Sequence, residues 1–396
     1  MTSPPPTVLI MAAGHGTRMR SELPKVLHPV CGRPMLEWVV RAARDAGASR
    51  VVCITRPSEG VSERVPDGAE VAEQVEGEGT GSAVLAARAA IDPDATVVVL
   101  SGDVPLVRGE LVAGLIAAHE GAGALATLLT TEELDPAGYG RVVRGVDGEV
   151  ERIVETKHTD GVSAEELAIR EINVGVYAFA GAALVSALDA VSITAGERYL
   201  TGVFPELRAR GGAIAAHLTS DTSSAMGVNT RVDLMAVEAL ARRRLIEGHA
   251  LGGVSFPVPE SVHLDADVEI GPDTVIGPGV TLTGATRVGS GCRIGPHTTA
   301  DGARIGDRAV VPHSFLTDCV VGEDASVGPF AYLRPGAQLE AGSKAGTFVE
   351  VKNSTIAAGA KVPHLSYVGD ADVGEGRTSA RARSPLTTTV ARSTGR

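Results

Sequence analysis

Aromatic residues, cysteines and long apolar runs are scarce in this sequence. Phe, Trp and Tyr make up 3% of the chain, whereas glycine occurs 48 times, a composition that suits tight turns and stacking of small residues. The four cysteines are far apart and form no CxxC pair, so we expect reduced thiols: Cys31, Cys53, Cys292 and Cys319. No apolar run approaches the roughly 18 residues of a membrane span, and the opening MTSPPP is polar. We therefore expect a soluble, cytoplasmic protein.

Positive charge is also in short supply. The formal net charge is −12, which excludes a broad basic face for nucleic acid or an anionic membrane. An anionic ligand would therefore have to be bound by a local site. The 396 residues suggest two or three domains.

Short apolar runs alternate with Ala-rich helical segments in residues 1–229. The apolar runs predict strands at Thr7–Ile10, Val51–Thr55, Thr96–Leu100 and Ala124–Leu129, and the segments between them predict helices at Met35–Ala46, Gly81–Ile91 and Gly109–His119. This alternation indicates an α/β domain with a mainly parallel sheet and helices on both faces. Ligands of such sheets bind at the carboxyl ends of the strands.

Residues 230–250 predict one amphipathic linker helix. Its expected apolar face consists of Val232, Met235, Val237, Leu240, Leu245 and Ile246.

From residue 262 the sequence changes to a six-residue period. An aliphatic residue, often followed by glycine, recurs at Ile270, Ile276, Leu282, Val288 and Ile294, and after an offset at Ile305, Val321, Val327, Leu333, Leu339, Ala345, Val351, Val362, Val368 and Val373. Each unit supplies one inward side chain and one turn, which predicts a parallel β-helix over residues 251–376.

The segment Thr7–Lys25 (TVLIMAAGHGTRMRSELPK) joins a strand to a small-residue turn. Gly14 and Gly16 allow backbone amides to approach phosphate oxygens, and Arg18 and Lys25 add positive charge. The dinucleotide pattern GxGxxG and the P-loop Gly-Lys-Ser/Thr are both absent. The segment alone predicts phosphate binding and nothing narrower.

GxGTRM followed by LPKVL resembles the sugar-1-phosphate nucleotidyltransferases. Within them, LPKVLH, the segment Gln74–Ala83 (QVEGEGTGSA) and the hexapeptide repeats resemble the bifunctional family of N-acetylglucosamine-1-phosphate uridyltransferases and glucosamine-1-phosphate acetyltransferases, from about residue 7 to 376. The resemblance implies a Rossmann-like nucleotidyltransferase domain followed by a left-handed parallel β-helix of hexapeptide repeats. It also implies a homotrimer that acts in the synthesis of bacterial cell-wall precursors.

The resemblance assigns roles by matching motifs. It places the turn that binds uridine and phosphate at Met11, Ala12, Ala13 and Gly14, and recognition of uracil at Gln74, Gly79 and Thr80. It places the end of a strand at Ser101, Gly102 and Asp103, and the contacts to N-acetylglucosamine at Gly140, Glu155 and Asn173. The implied Mg²⁺ ligands are Asp103 and Asn229. Two oxygen ligands with phosphates and waters suit Mg²⁺. The sugar phosphate attacks the α-phosphorus of UTP, pyrophosphate leaves, and Mg²⁺, Lys25 and Arg18 stabilise the charge that develops.

Five of these residues also have a structural interpretation. Asp103 could cap a turn before Pro105, Asn173 could end a strand, and Asn229 could be a helix N-cap. Lys25 could be a surface lysine, and Glu155 a solvated strand charge.

The β-helix half matches the acceptor-site pattern of the acetyltransferase. Arg334 (YLRPG) and Lys352 (FVEVKN) would bind the phosphate of glucosamine 1-phosphate. His364, with Tyr367 in VPHLSYVGD, would take a proton from the substrate amine as it attacks acetyl-CoA. A lone histidine in a coil is otherwise more often structural.

The pattern stops at residues 377–396, which contain five arginines and no acidic residue. They could be a solvated basic tail. We interpret them as an out-of-frame translation, because a shifted frame allows Asn-Ile-Gly-Ala, Asn-Tyr-Asp-Gly and Lys-x-x-Thr at the family's spacing. An incomplete acetyltransferase domain, weak or absent acetyl transfer and a less firm trimer are then expected.

Two other functions remain open at this point. One is a hexose- or mannose-1-phosphate nucleotidyltransferase, against which Gln74 and the pair Gly79-Thr80 argue. The other is a non-catalytic hexapeptide-repeat subunit, against which the joint presence of Lys25 and Asp103 argues.

Overall fold

A computed structural model describes residues 4–156, 162–194 and 196–378. The chain divides into two compact units. The first comprises the N-terminal segment up to Val30 together with Pro34–Val237, and the second comprises Cys31–Arg33 and the chain from Glu238 onward. The expected out-of-frame tail lies, from residue 379 on, outside the described residues.

The first unit is built on a nine-stranded sheet. The N-terminal strands are β1 (Thr7–Met11), β2 (Pro29–Val30), β3 (Arg33–Pro34), β4 (Arg50–Thr55), β5 (Glu70–Glu73), β6 (Thr96–Ser101), β7 (Ala126–Thr131), β8 (Gly140–Arg144), β9 (Val150–Val154), β10 (Ile172–Ala180) and β11 (Ile214–Leu218). The sheet order is β11-β7-β10-β6-β1-β4-β5, and β8 pairs with β10 and β9.

Helices connect these strands and follow them. They are α1 (Met35–Asp45), α2 (Thr80–Ala86), α3 (Gly109–Ala122), α4 (Ala164–Leu167), α5 (Gly181–Ala190), α6 (Val203–Ala209) and α7 (Arg231–Leu251). None of the helices in the described ranges combines the length and the apolar composition that a bilayer span requires.

The centre of the sheet follows the predicted apolar runs. Strand β1 pairs in parallel with β4 and β6, with Val8 opposite Val51 and Val98. Side chains alternate between two buried clusters: Val8 belongs to one and Leu9 to the other. Such near-continuous aliphatic strands are typical of a sheet that is covered on both faces. The predicted strands and helices are therefore confirmed to within a few residues.

The expectation of a mainly parallel sheet holds for β5-β4-β1-β6 and for the pair β7-β11, but it fails at β10. Strand β10 runs antiparallel to both β6 and β7. After β7 the chain returns through the antiparallel pair β8 and β9 rather than through a crossover helix, so the next long strand enters in the opposite direction.

The linker helix occurs as α7, but its predicted apolar face is wrong at the N-terminal end. Val232 and Met235 are more than two-thirds exposed, whereas Val237, Ala241 and Ile246 are buried.

The second unit is a parallel β-helix with three sheets. The first sheet contains β12 (His263–Leu264), β15 (Thr281–Thr283), β18 (Thr299–Asp301), β21 (Phe315–Thr317), β24 (Tyr332–Leu333), β27 (Val349–Lys352) and β30 (Ser366–Gly369). The second contains β13 (Glu269–Ile270), β16 (Arg287–Val288), β19 (Arg304–Ile305), β22 (Val320–Val321), β25 (Gln338–Leu339), β28 (Thr355–Ile356) and β31 (Asp372–Val373). The third contains β14 (Val275–Ile276), β17 (Arg293–Ile294), β20 (Val310–Val311), β23 (Ser326–Val327), β26 (Lys344–Ala345) and β29 (Lys361–Val362).

The six-residue period places aliphatic side chains in a continuous inner column. All the predicted inward positions are buried except Ile270, which packs partly buried against the column. Thr281 pairs with Thr299, one coil of 18 residues further on, but Thr299 pairs with Phe315 after only 16. This short coil explains the offset in the period. The arrangement is that of the left-handed parallel β-helix which the resemblance implies.

All four cysteines are buried and free. Burial raises the pKa of the Cys53 and Cys319 thiols to about 12, so both remain protonated near neutral pH.

Candidate active site

A cleft lies where the first unit's sheet topology predicts it, beside the carboxyl ends of β1, β4, β5 and β6. It consists of two adjoining cavities of about 320 and about 600 Å³, a size that accommodates small-molecule ligands. Both cavities are lined by Met11, Arg18, Thr80, Ser101, Asp103, Tyr199 and Asn229.

Five polar side chains from three separate segments of the chain meet at the junction of the two cavities. The Lys25 ammonium contacts the Asp103 carboxylate and lies 3.3 Å from the Asn229 amide oxygen. The Arg18 guanidinium donates to the same amide oxygen at 2.9 Å. Ser101 Oγ donates to the other Asp103 oxygen at 2.6 Å. Two cations and two oxygen acceptors are thereby gathered at one point.

The start of α7 positions Asn229. Thr230 and Asp233 form a capping box, because the Asp233 carboxylate accepts from the Thr230 N–H at 2.8 Å and Thr230 Oγ1 accepts from the Asp233 N–H at 3.2 Å. The cap is thus Thr230, and the Asn229 side chain turns to Arg18 and Lys25 instead. Sequence reasoning missed Asp233, although the T-x-x-D pattern is a recognisable cap signal.

The Asp233 carboxylate is held in its charged form. Burial acts to raise its pKa, but the N–H groups of Asn229 and Thr230, the Thr230 side chain and the Arg18 charge together lower the pKa below its usual value.

The two glycines of the turn that follows β1, here called the nucleotide turn, have different surroundings. Gly16 has φ +60°, and a Cβ there would lie 2.7 Å from the Cβ of Lys25. Gly16 therefore brings the backbone of the turn against Lys25. Gly14 has no atom within 4 Å of its Cβ position, so open space remains above the backbone that is predicted to face phosphate.

The smaller cavity contains the residues predicted to read the base. Gln74 is buried, and its Nε2 donates to the Gly77 carbonyl at 2.8 Å. Thr80 Oγ1 accepts from the Leu200 N–H at 2.9 Å. Gly79 has φ +91°, and a Cβ there would lie 2.5 Å from the Arg198 carbonyl, so only glycine fits.

Sequence reasoning missed several residues of this cavity, among them His15, Arg56 and Glu78. Arg56 Nε donates to the Ala13 carbonyl at 3.0 Å, and Arg56 Nη2 forms an ion pair with the Glu78 carboxylate at 2.7 Å. A single arginine after a strand carries no motif, so only the sheet order reveals its position.

The larger cavity is lined by Glu155 and by tyrosines. Thr201 Oγ1 donates to Glu155 at 2.9 Å. Burial, together with the carboxylates of Asp233 and Asp103, raises the pKa of Tyr139, so its phenol stays a hydrogen-bond donor. Tyr177 and Tyr199 line the same cavity.

Four of the predicted residues do not line either cavity: Ala12, Gly102, Gly140 and Asn173. The Gly102 N–H donates to the Met11 carbonyl at 2.9 Å. Asn173 is buried, donates to the Tyr177 hydroxyl at 2.7 Å, and pairs with Gly140 across the sheet. These residues support the cleft wall, and their direct contact with a ligand stays a prediction.

The predicted acceptor residues of the β-helix lie in consecutive coils along the first sheet. Leu333, next to Arg334, pairs with Val351, next to Lys352, and Tyr367 pairs with Glu350. Arg334 and Lys352 form ion pairs with Glu350 at 3.0 Å and Asp370 at 3.1 Å. His364 is exposed and precedes β30. The column thus places these residues along one face, with carboxylates between the cations.

Family models match both units. One described as the MobA-like NTP transferase domain matches residues 8–209, and one described as the bacterial transferase hexapeptide (six repeats) matches residues 267–302. The fold and the cleft therefore define an NTP transferase domain that is followed by a hexapeptide-repeat β-helix.

Proteins described as bifunctional protein GlmU match nearly the whole chain. That of Heliobacterium modesticaldum is 45% identical over 373 residues, which cover 93% of this chain and 81% of the relative. That of Mycolicibacterium vanbaalenii is 45% identical over 383 residues, covering 93% and 77%, and that of Mycobacterium tuberculosis H37Ra is 45% identical over 388 residues, covering 95% and 78%. The chain belongs to the GlmU family, the uridyltransferase and acetyltransferase family that its motifs resemble. It is a nucleotidyltransferase, which excludes the non-catalytic alternative.

Proposed function

We propose that the cleft transfers UMP from UTP to N-acetylglucosamine 1-phosphate and releases pyrophosphate. The observation that carries this proposal is the cluster of Arg18, Lys25, Asp103 and Asn229 at the junction of the two cavities. A nucleotide in the smaller cavity and a sugar phosphate in the larger one would meet at this cluster. Gln74 is the candidate reader of uracil, and Glu155 the candidate ligand of the sugar.

The cluster fits a Mg²⁺ ion. The Asp103 carboxylate and the Asn229 amide oxygen both accept from the Lys25 ammonium, so the two oxygens converge on one cation. Hard oxygen donors of this kind suit Mg²⁺, which would keep waters and substrate phosphate oxygens as its other ligands. When bound, the ion would neutralise phosphate charge and orient the reacting phosphate.

The chain's own residues supply positioning and charge. Lys25 and Arg18 stabilise the negative charge that develops on the α-phosphate and the leaving pyrophosphate. Ser101 donates to Asp103 and so fixes the orientation of the carboxylate. The sugar phosphate oxygen is itself the nucleophile, and no covalent protein intermediate is required.

The variant Asp103→Ala tests this function. We expect it to abolish pyrophosphate release with UTP and N-acetylglucosamine 1-phosphate while the circular dichroism spectrum stays unchanged. Asp189→Ala is the matched control, because Asp189 forms an exposed ion pair with Arg88 outside the cleft. Retained turnover in the Asp103 variant would refute the metal assignment. Wild-type preference for GTP or for another sugar phosphate would favour a hexose- or mannose-1-phosphate nucleotidyltransferase.

For the β-helix we propose an acceptor site and a homotrimer. Arg334 and Lys352 would bind the phosphate of glucosamine 1-phosphate, and His364 with Tyr367 would serve acetyl transfer from acetyl-CoA. The weak acetyl transfer that the tail suggests stays a prediction, since it depends on residues beyond those described.

An exposed ladder of rings supports the trimer. At one corner of the β-helix, the His313 ring packs tilted against Phe330 and Phe330 stacks on Phe348, each pair with ring centroids 5.4 Å apart. Phe330 and Phe348 are more than half exposed. Exposed aromatic surface of this kind marks interaction sites, and we assign it to further copies of this chain.

A further inference from the structure

The sheet order places Arg56 between two functional loops. Strand β4 lies between β1 and β5 and pairs in parallel with both. Parallel strands end at one edge of a sheet, so the residue that follows β4 lies between the turn after β1 and the loop after β5. That residue is Arg56. The first loop is the nucleotide turn, and the second contains Gln74.

Arg56 contacts both loops through one guanidinium group. Nε donates to the Ala13 carbonyl at 3.0 Å, and Nη2 donates to the Gly77 carbonyl at 3.4 Å and to the Glu78 carboxylate at 2.7 Å. Its side chain is 13% exposed. A planar, multidentate donor can make these three contacts at once, whereas a lysine ammonium cannot reach them in the same geometry.

The Gly77 carbonyl in turn orients the Gln74 amide. A carbonyl oxygen can only accept, so the amide nitrogen of Gln74 must face it, at 2.8 Å. Within the described ranges this is the one hydrogen bond of the Gln74 side chain. The amide oxygen is therefore the atom that Gln74 offers to a ligand in the smaller cavity.

We infer that Arg56 is a positioning residue that sets the base selectivity of the cleft. By holding the Gly77 carbonyl in place, it keeps the Gln74 oxygen directed to a base that carries an N3–H donor. Uracil has this donor, whereas N3 of cytosine is an acceptor and would meet the Gln74 oxygen unfavourably. This inference rests on the proposed uridylyl transfer.

The experiment compares UTP with CTP in pyrophosphate release by the full-length chain and its Arg56→Lys variant. We expect the KM for UTP to rise about tenfold, since the loss of one hydrogen bond weakens ground-state binding by about that factor. We expect kcat to stay within about twofold. The ratio of kcat/KM for UTP to that for CTP should also fall about tenfold, because a released amide can turn its nitrogen to cytosine.

Arg50→Lys is the matched control. Arg50 lies at the other end of β4 and pairs with Glu70 of β5 at 2.7 Å, so its loss disturbs the same strands away from the cleft and should leave the ratio unchanged. Glu78→Gln weakens the anchor of Arg56 and should lower the ratio by a smaller factor. It also provides the readout if Arg56→Lys does not fold.

Equal losses with UTP and CTP would overturn the inference, because they would indicate a phosphate contact or a purely structural role. An unchanged ratio in both variants would overturn it as well. Failure of the proposed function is a different result, namely wild-type protein that does not turn over UTP with N-acetylglucosamine 1-phosphate.

Discussion

The capping box at the start of α7 connects the stability of one residue to the geometry of the cleft. Because the pKa of Asp233 is lowered in the folded chain, its carboxylate stabilises the fold at pH values above the usual Asp pKa of about 4. That stabilisation is lost as the pH falls through the lowered value. We expect Asp233→Ala to reduce the free energy of unfolding by about 1 kcal/mol at pH 7, and by less at an acidic pH below that lowered value.

Urea unfolding followed through Trp38, the single tryptophan of the chain, measures this difference at both pH values. Asp189→Ala again serves as the control, since an exposed ion pair contributes little. If Asp233→Ala lowered the free energy of unfolding as much in acid as at neutral pH, the charge of the Asp233 carboxylate would not be what stabilises the start of α7.

The residues of the cleft differ in how far the sequence reveals them. Lys25 and Asp103 carry recognisable motifs, and the fold brings their side chains into contact, while their roles stay a prediction. Arg56 carries none, because its position depends on the order β1-β4-β5, and strand order is a non-local property. Asn173 matches a motif, yet its side chain bonds to Tyr177 instead of lining the cleft. A motif match thus indicates the region of the fold that a residue occupies more reliably than it indicates which ligand or side chain the residue contacts.

At the scale of elements, the turn after β1 depends on one left-handed glycine. Gly16→Ala should introduce strain of about 1 kcal/mol and place a Cβ against Lys25. A displacement of about 1 Å at a reacting group can cost about 100-fold in rate, so we expect a loss of that order in kcat/KM for pyrophosphate release.

Gly123→Ala is the matched control for this substitution. Gly123 has φ +57° and no atom within 4 Å of its Cβ position, so the variant carries similar backbone strain without a clash. It should lose stability and keep its activity. If the two alanine variants were equally active, Gly16 would have no role in positioning Lys25.

The two units differ in how well the sequence predicts their elements. The β-helix follows from its period, because each coil contacts only its neighbours and repeats the same local pattern. The sheet of the first unit follows only in part. Its buried strands were predictable from apolar runs, but the antiparallel entry of β10 was not, since direction depends on the path of the chain between strands.

At the scale of the whole molecule, the corners of the β-helix suggest which surface would join the copies of the proposed trimer. Each corner requires a left-handed backbone, which Gly, Asn and Asp tolerate best. Two corners consist mainly of such residues: Asp273, Gly291, Arg308, Asp324, Gly342, Gly359 and Gly376 form one, and Gly284, Gly302, Asp318, Gly336, Asn353 and Asp370 form the other. The third corner, which begins at Gly279, instead carries His297, His313, Phe330, Phe348 and Leu365, also at positive φ.

Large rings at a strained backbone position require a compensating contact. We therefore expect the double variant Phe330→Asn and Phe348→Asn to fold, because asparagine suits the left-handed corner, and to elute as a monomer when the parent chain elutes as a trimer. Size-exclusion chromatography with light scattering measures this.

Asp318→Ser at another corner is the control and should leave the trimer intact. Uridylyl transfer should persist in the monomer, since every residue of the cleft belongs to the first unit. A double variant that remains trimeric would show that the aromatic corner is not the surface that joins the copies.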